Sequence, residues 1–180
     1  MNDLDLISRC QHGDLRAQAD LYNRYSNRLF RLVFRYIKSQ VDTEDVTITA
    51  FTKVFKNIGS FTFQGEGSLE GWMRKIFVNE SLMWLRQRHN FNMTESLDEA
   101  LPEPDLTRLS ELESEDIYKL IAALPTGYRT VFNLHVIEGY NHQEISKMLS
   151  ITESTSRSQL FKAKSILKKV LTEEGLQYGT

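Results

Sequence analysis

The stretch HQEISKMLSITESTSRSQLFKAK, His142–Lys164, decides how this chain is read. Ile145, Met148 and Leu149 give its first half the apolar side of a short helix. Ser150-Ile151-Thr152 then reads as a tight turn with an apolar plug, and Thr152 is placed to cap a second helix. In that second helix Ser156, Leu160, Ala163 and Leu167 fall on one face and are expected to pack inward. Glu153, Ser154, Arg157, Ser158, Phe161 and Lys162 are left pointing outward, with Thr155 and Lys164 close by. A core helix would carry apolar residues from its first turn, and a purely solvated one would favour Glu, Lys and Ala. Short hydroxyls followed by Arg and Lys instead suit a helix that enters a major groove. There Arg reads guanine edges or phosphate, and the later basic turns neutralise backbone. A helical hairpin whose polar side faces water has the same pattern and stays open as the alternative.

The helical period continues outward from this stretch. Leu21, Tyr25, Leu29, Leu32, Val33 and Tyr36 predict a long amphipathic helix with Arg24, Arg28, Arg31 and Arg35 along another side. TEDVTITAFTKVFKNI predicts a helix capped by Thr43, with Glu44 and Asp45 at its positive end and Val46, Ala50, Val54 and Ile58 as its apolar stripe. GSFTFQGEGS reads as a Gly-rich loop. LEGWMRKIFVNESLMWLRQRHN is helical again, with Trp72, Ile76, Asn79 or Glu80, Met83 and Leu85 spaced by turns and a basic end. Periodicity fades between residues 91 and 116, where two of the three prolines fall. Four further helices follow: DIYKLIAALP, GYRTVFNLHVIEG, HQEISKMLS and TESTSRSQLFKAKSILKKVL. The expectation is an all-α chain of two small helical domains joined by a flexible linker, the second ending in a helix-turn-helix.

Composition narrows the function. With 41% hydrophobic and 26% charged residues the chain reads as a soluble globular protein, and no apolar run approaches a membrane span. One cysteine, Cys10, rules out an internal disulfide and argues against a cysteine metal cluster, which fits a reducing cytoplasm. The net charge of −2 hides a segregation: residues 1–90 carry +3, 91–116 carry −8 and 117–180 carry +3. A phosphate feels the local field, so two basic blocks flanking an acidic one are compatible with a nucleic-acid partner. Four scattered histidines and no phosphate-binding loop leave nothing for covalent chemistry, so neither an enzyme nor a bound cofactor or metal is expected. Trp72, Trp84, Phe51 and Phe55 read as core, Cys10 as an inert small hydrophobe, and His135 and His142 as structural.

Taken in order, DLRAQADLYNRYSNRLFRLVFRYI, DTEDVTITAFTKVFKNIGSF, GWMRKIFVNESLMWLRQRH and ALPTGYRTVFNLHVIEGYNHQEISKMLSITESTSRSQLFKAK resemble the extracytoplasmic-function group of bacterial sigma-70 factors. The resemblance runs from about Leu4 to Leu171 and includes regions two and four without region three. It implies an alternative sigma factor that binds core RNA polymerase, directs it to promoters and helps melt the −10 element. Region two would be residues 1–90, the linker 91–116 and region four 117–180.

The resemblance also implies roles. Glu44, Asp45, Ile48, Thr49, Thr52, Lys53 and Lys56 would dock on the clamp coiled coil of the polymerase's largest subunit. The loop Phe61 to Leu69 would capture one base extruded from the −10 non-template strand, with Phe63, Gln64, Gly65, Glu66, Gly67 and Ser68 as contacts. Lys75, Asn79 and Arg86 would continue that surface along the next helix. Thr155, Arg157, Ser158, Phe161, Lys162 and Lys164 would read the −35 element. The second domain would meet the flap of the second-largest subunit, the acidic linker would thread the RNA exit channel, and an anti-sigma factor would hold the protein in check. Base capture offsets the cost of unstacking. The chain departs from the family at Ile48-Thr49, where an acidic residue is usual, and at Ser146, Ser150 and Ser154, where Ala, Gly and Gly are usual. Two rivals are a stand-alone DNA-binding regulator without polymerase contact and a degenerate relative that sequesters a partner.

Overall fold

A computed structural model describes residues 3–89 and 114–173, and every regular element among them is helical. The chain divides into two compact units, Met1–Arg88 and His89–Thr180. The expected linker, 91–116, lies outside the described residues except for its last three, which open a helix.

The first unit holds α1 (Asp3–Gln11), α2 (Leu15–Ile37), α3 (Gln40–Asn57), a 3-10 turn (Ile58–Ser60) and α4 (Ser68–His89). No helix was expected at α1, although its signals are present: Leu6, Ile7 and Cys10 share a buried face, and Asp3 and Asp5 lie in the first turn. Burial pushes the Cys10 thiol up, as befits an inert hydrophobe. Gly13 turns the chain with φ 79°. Asp14 then caps α2 by accepting from the Arg16 and Ala17 amides. The Arg9 guanidinium donates to the same carboxylate at 2.8 Å, and with those amides it holds Asp14 below the usual carboxylate range.

In α2 the expected row from Leu21 to Tyr36 is buried throughout. The helix α3 begins earlier than expected. Ser39, not Thr43, caps it by accepting from the Asp42 amide, while Thr43 is fully buried and donates to the Ser39 carbonyl at 2.6 Å. Its stripe of Val46, Ala50, Val54 and Ile58 is buried as expected. In α4 the phase differs from the expected one. Leu69, Met73, Phe77 and Leu85 enter the core, whereas Trp72 and Ile76 are half-buried and Met83 is exposed. The Phe77 and Phe51 rings meet edge to face, with centroids 5.0 Å apart, a contact that sets which side of α4 turns inward.

The second unit holds α5 (Ser114–Ala123), α6 (Thr126–Phe132), a π-helical turn (Asn133–Ile137), α7 (His142–Leu149) and α8 (Glu153–Glu173). The single helix expected over GYRTVFNLHVIEG is therefore an α-helix that widens into the π turn. Leu124, Tyr128 and Ala163 form a core patch, with Phe132, Ile166 and Leu167 packed against it. Arg129 is 3% exposed and donates to the Leu124 carbonyl at 2.8 Å. Its burial pushes the guanidinium down to about 10. Asn141 and Glu144 close a capping box at the start of α7. The helix ends at Ser150, which adopts a left-handed conformation (φ 56°, ψ 41°), and the Ser150 and Ile151 amides both return to the Ser146 carbonyl. The bend survives the replacement of glycine by serine, at the cost of a Cβ in the left-handed region.

That strain gives a direct test. Ser150→Gly removes a left-handed penalty of about 1–2 kcal/mol and adds unfolded-chain entropy of about 0.5–1 kcal/mol. The variant is expected to be more stable by about 0.5–1 kcal/mol, read as a higher Tm in thermal melts. A lower Tm would show that the serine makes a compensating contact.

Candidate nucleic-acid interface

Three surfaces carry the expected site residues. On α8, Ser156 and Ala163 are fully buried, Leu160 is nearly so and Leu167 is partly so, as the spacing predicts. Arg157, Ser158, Lys164 and Phe161 are exposed, Phe161 by 74%, which is unusual for a ring with nothing but solvent to meet. Arg157 pairs with Glu153 at 2.9 Å, one turn earlier on the same helix. Lys162 is half-buried, with its ammonium 5.9 Å from the centre of the Tyr128 ring. Thr155 serves the cap: its amide donates to Thr152 Oγ1 at 3.0 Å, and the two hydroxyls are 2.8 Å apart. Gln159 faces inward and is buried.

Behind this helix lies a pairing that the sequence reading missed. The His135 and His142 rings stack at 4.5 Å, with Nδ1 of His135 bonded to the Tyr140 carbonyl and Nδ1 of His142 bonded to Ser156 Oγ. Residues 135 and 142 sit on different elements, so no local spacing signals the contact.

The second surface is a cleft between the Gly-rich loop and α4. Gln64, Ser68 and Lys75 line it, together with Phe61, Thr62 and Trp72. The Phe61 and Trp72 rings meet at 5.0 Å. Ser68 staples the loop to the helix start by accepting from the Gln64 amide and donating to the Gly65 carbonyl. Gly65 and Gly67 have φ 110° and 80°, which a side chain would resist. Phe63 is half-buried, and Glu66 is exposed on the loop. Asn79 and Arg86 are exposed on the side of α4 that carries Lys75, one and three turns along. A further contact comes from α1, where Gln11 reaches the root of the loop. Its signal was the unread helix pattern of residues 3–11.

The third surface is the outer side of α3. Glu44, Asp45, Ile48, Thr49, Thr52 and Lys56 are all exposed there, Ile48 by 60%. Val41 is 70% exposed two turns before Ile48, so the two form an apolar row that the sequence reading left incomplete. The Thr49 and Thr52 hydroxyls donate to the Asp45 and Ile48 carbonyls, each at 2.9 Å. Lys53 is drawn aside and bonds Glu80 of α4 at 2.6 Å. In the arginine series of α2, Arg24 pairs with Asp3 and Arg28 with Glu70, which tie α1 and α4 to the long helix.

Comparison with known proteins agrees with this layout. "Sigma-70 region 2" matches residues 21–91 and "Sigma-70, region 4" matches residues 114–167, together more than half of the chain. An ECF RNA polymerase sigma-E factor of Haemophilus influenzae is 28% identical, over 93% of this chain and 94% of its own. The sigma-E factor of Escherichia coli K12 is also 28% identical, over 93% of both chains. The RNA polymerase sigma-H factor of Pseudomonas aeruginosa is 25% identical, over 94% of this chain and 93% of its own. Among solved structures, CnrH in complex with the cytosolic domain of CnrY matches 95% of this chain and 97% of its own, with a TM-score of 0.53 and 20% identity, a likeness of fold.

The chain belongs to the sigma-70 family, in its extracytoplasmic-function group. It is an alternative sigma factor, a non-enzymatic initiation factor that serves RNA polymerase in promoter recognition and binds both core enzyme and promoter DNA. No group of three or more metal-ligating side chains is assembled among the described residues, and no described helix is long and apolar enough to cross a membrane.

His142 makes the stability of the second unit sensitive to pH. Burial holds the His142 imidazole below its ordinary value; His135, Arg157 and Lys164 add to the effect and Glu153 opposes it. The unfolded chain then takes up a proton at a pH where the folded one does not. Stability therefore rises as pH climbs toward the ordinary histidine value of about 6.5, and it is lost below it. Melts of the full chain between about pH 5 and 7.5 should show this fall toward acid, and His142→Gln should flatten it. An unchanged slope in the variant would assign the dependence elsewhere.

Proposed function

We propose that the two domains divide promoter recognition between duplex and single strand. Region two, residues 1–90, would hold core polymerase and the −10 element, residues 91–116 would link, and region four, residues 117–180, would read the −35 element in the major groove. The observation that carries this reading is the exposed row Arg157-Ser158-Phe161 on a helix whose opposite side is buried. It supports groove entry because a guanidinium, a short hydroxyl and an aromatic face suit base edges and methyl groups.

Three further assignments go with it. The cleft of Gln64, Ser68, Lys75 and the Phe61–Trp72 pair supports capture of one extruded base, since it joins aromatic faces, edge-reading groups and a cation. The row of Val41 and Ile48 beside Glu44 and Asp45 supports docking of α3 on the polymerase clamp, with the flap meeting the second domain and the acidic linker following the RNA exit channel. An anti-sigma factor would cover these surfaces in the cytoplasm; CnrH, solved with the cytosolic domain of CnrY, shares the fold.

Arg157→Ala tests the −35 assignment. The exposed pair with Glu153 is weak enough to yield to DNA. The variant is expected to keep core binding and to lose about 1–3 kcal/mol of −35-dependent transcription, confined to one position of the element. Equal loss on all −35 variants would make Arg157 a phosphate contact, and no loss on any template would remove α8 from the readout.

A further inference from the structure

Gln11 is the last residue of α1, and its side chain makes two hydrogen bonds to residues far away in sequence. Nε2 donates to the Ile58 carbonyl at 3.0 Å and to the Phe61 carbonyl at 2.9 Å. A carboxamide nitrogen has two hydrogens, and here each has its own acceptor. The two carbonyls belong to the first residue of the 3-10 turn and to the residue just after it, where the Gly-rich loop departs, and the Phe61 amide closes that turn on Ile58 at 3.1 Å. Phe61 is also where the backbone becomes extended, and its ring packs on Trp72 to form one wall of the cleft.

The loop is thus fastened at both ends by different means. At its far end Ser68 bonds Gln64 and Gly65 within the loop itself. At its near end the fastening comes from α1, through a residue that does not line the cleft. Inside the far fastening Gly65 and Gly67 take φ 110° and 80°, and the Gly65 carbonyl accepts from both the Ser68 hydroxyl and the Ser68 amide. A cleft that must meet an extruded base needs its aromatic wall in place beforehand, because ordering it on binding would be subtracted from affinity.

We propose that Gln11 is a positioning residue for base capture at the −10 element, holding the Phe61 wall of the cleft through the two carbonyls. This rests on the base-capture reading of the cleft. Gln11→Glu keeps the shape but sets carboxylate oxygens against carbonyl oxygens, and Gln11→Met keeps the length without any donor. Both sit at an exposed helix end, and each checks the other should one of them fold poorly.

The test uses the full chain assembled on core polymerase. The probe is a fluorescent single strand carrying the non-template −10 sequence of a promoter that this holoenzyme transcribes. A second probe is the same strand made abasic at the base read most strongly by the wild type. Both variants are expected to reduce the preference for the whole strand over the abasic one by about tenfold. Affinity for the abasic strand, for duplex −35 DNA and for core should stay at the wild-type level. An unchanged preference would overturn the positioning role. Equal loss on both strands would also overturn it, making the contact a general support of the fold. A wild type that does not distinguish the two strands would instead defeat base capture itself, and this inference with it.

Discussion

Ser156 and Ala163 have no exposed surface, and what α8 can do follows from that. Ala163 lets the helix lie close on Leu124 and Tyr128, and the short side chain of Ser156 sits within bonding distance of His142. Rotating α8 by one residue, about 100°, would carry Arg157 into the buried position of Ser156, where an uncompensated guanidinium is costly. The packed side therefore fixes the outward side, and Arg157, Ser158 and Phe161 are presented as one row. The start of the helix is fixed as well, by the left-handed Ser150, the Thr152 cap and the bond from His142 to Ser156. Reading bases requires side chains placed to within a fraction of an ångström, and this helix is held along one whole side and at its first turn.

The first unit applies the same constraint to two helices at once. Burial of Val46, Ala50 and Val54 turns Ile48, Thr49 and Thr52 outward on α3. Burial of Met73 and Phe77 turns Lys75 and Asn79 outward on α4. Lys53 and Glu80 then bridge the two helices at 2.6 Å, so the two outward faces are tied to a common frame. Exposed Val41 and Ile48 beside carboxylates make a mixed apolar and acidic surface, the composition of a face that meets another protein.

Much of this was legible in the sequence because it is periodic. The phase of α8, the buried row of α2 and the stripe of α3 each follow from residues three and four apart, and each is where the spacing places it. Thr43 misled because two candidate caps lie four residues apart, and only burial of its hydroxyl against the Ser39 carbonyl decides between them. In α4 the bulk of Trp72 drew the stripe toward the wrong side; the ring contact between Phe77 and Phe51, distant in sequence, determines the true one. The helix that carries Gln11 is periodic in the sequence, but the bonds of Gln11 span 47 and 50 residues and the stacking of His135 on His142 joins two elements, so neither contact itself leaves a local trace.

The proposed division of labour between the two domains is tested directly by tethered cleavage. Cys10 is buried and is the only cysteine, so a variant with Cys10→Ala and either Ser158→Cys or Glu66→Cys carries an iron chelate at one surface alone. Each is assembled on core polymerase, bound to a promoter and triggered to cut nearby DNA. The account predicts cuts around the −35 element from position 158 and cuts on the non-template strand of the −10 element from position 66. Cuts at one common place, or cuts from position 66 confined to the −35 duplex, would contradict it.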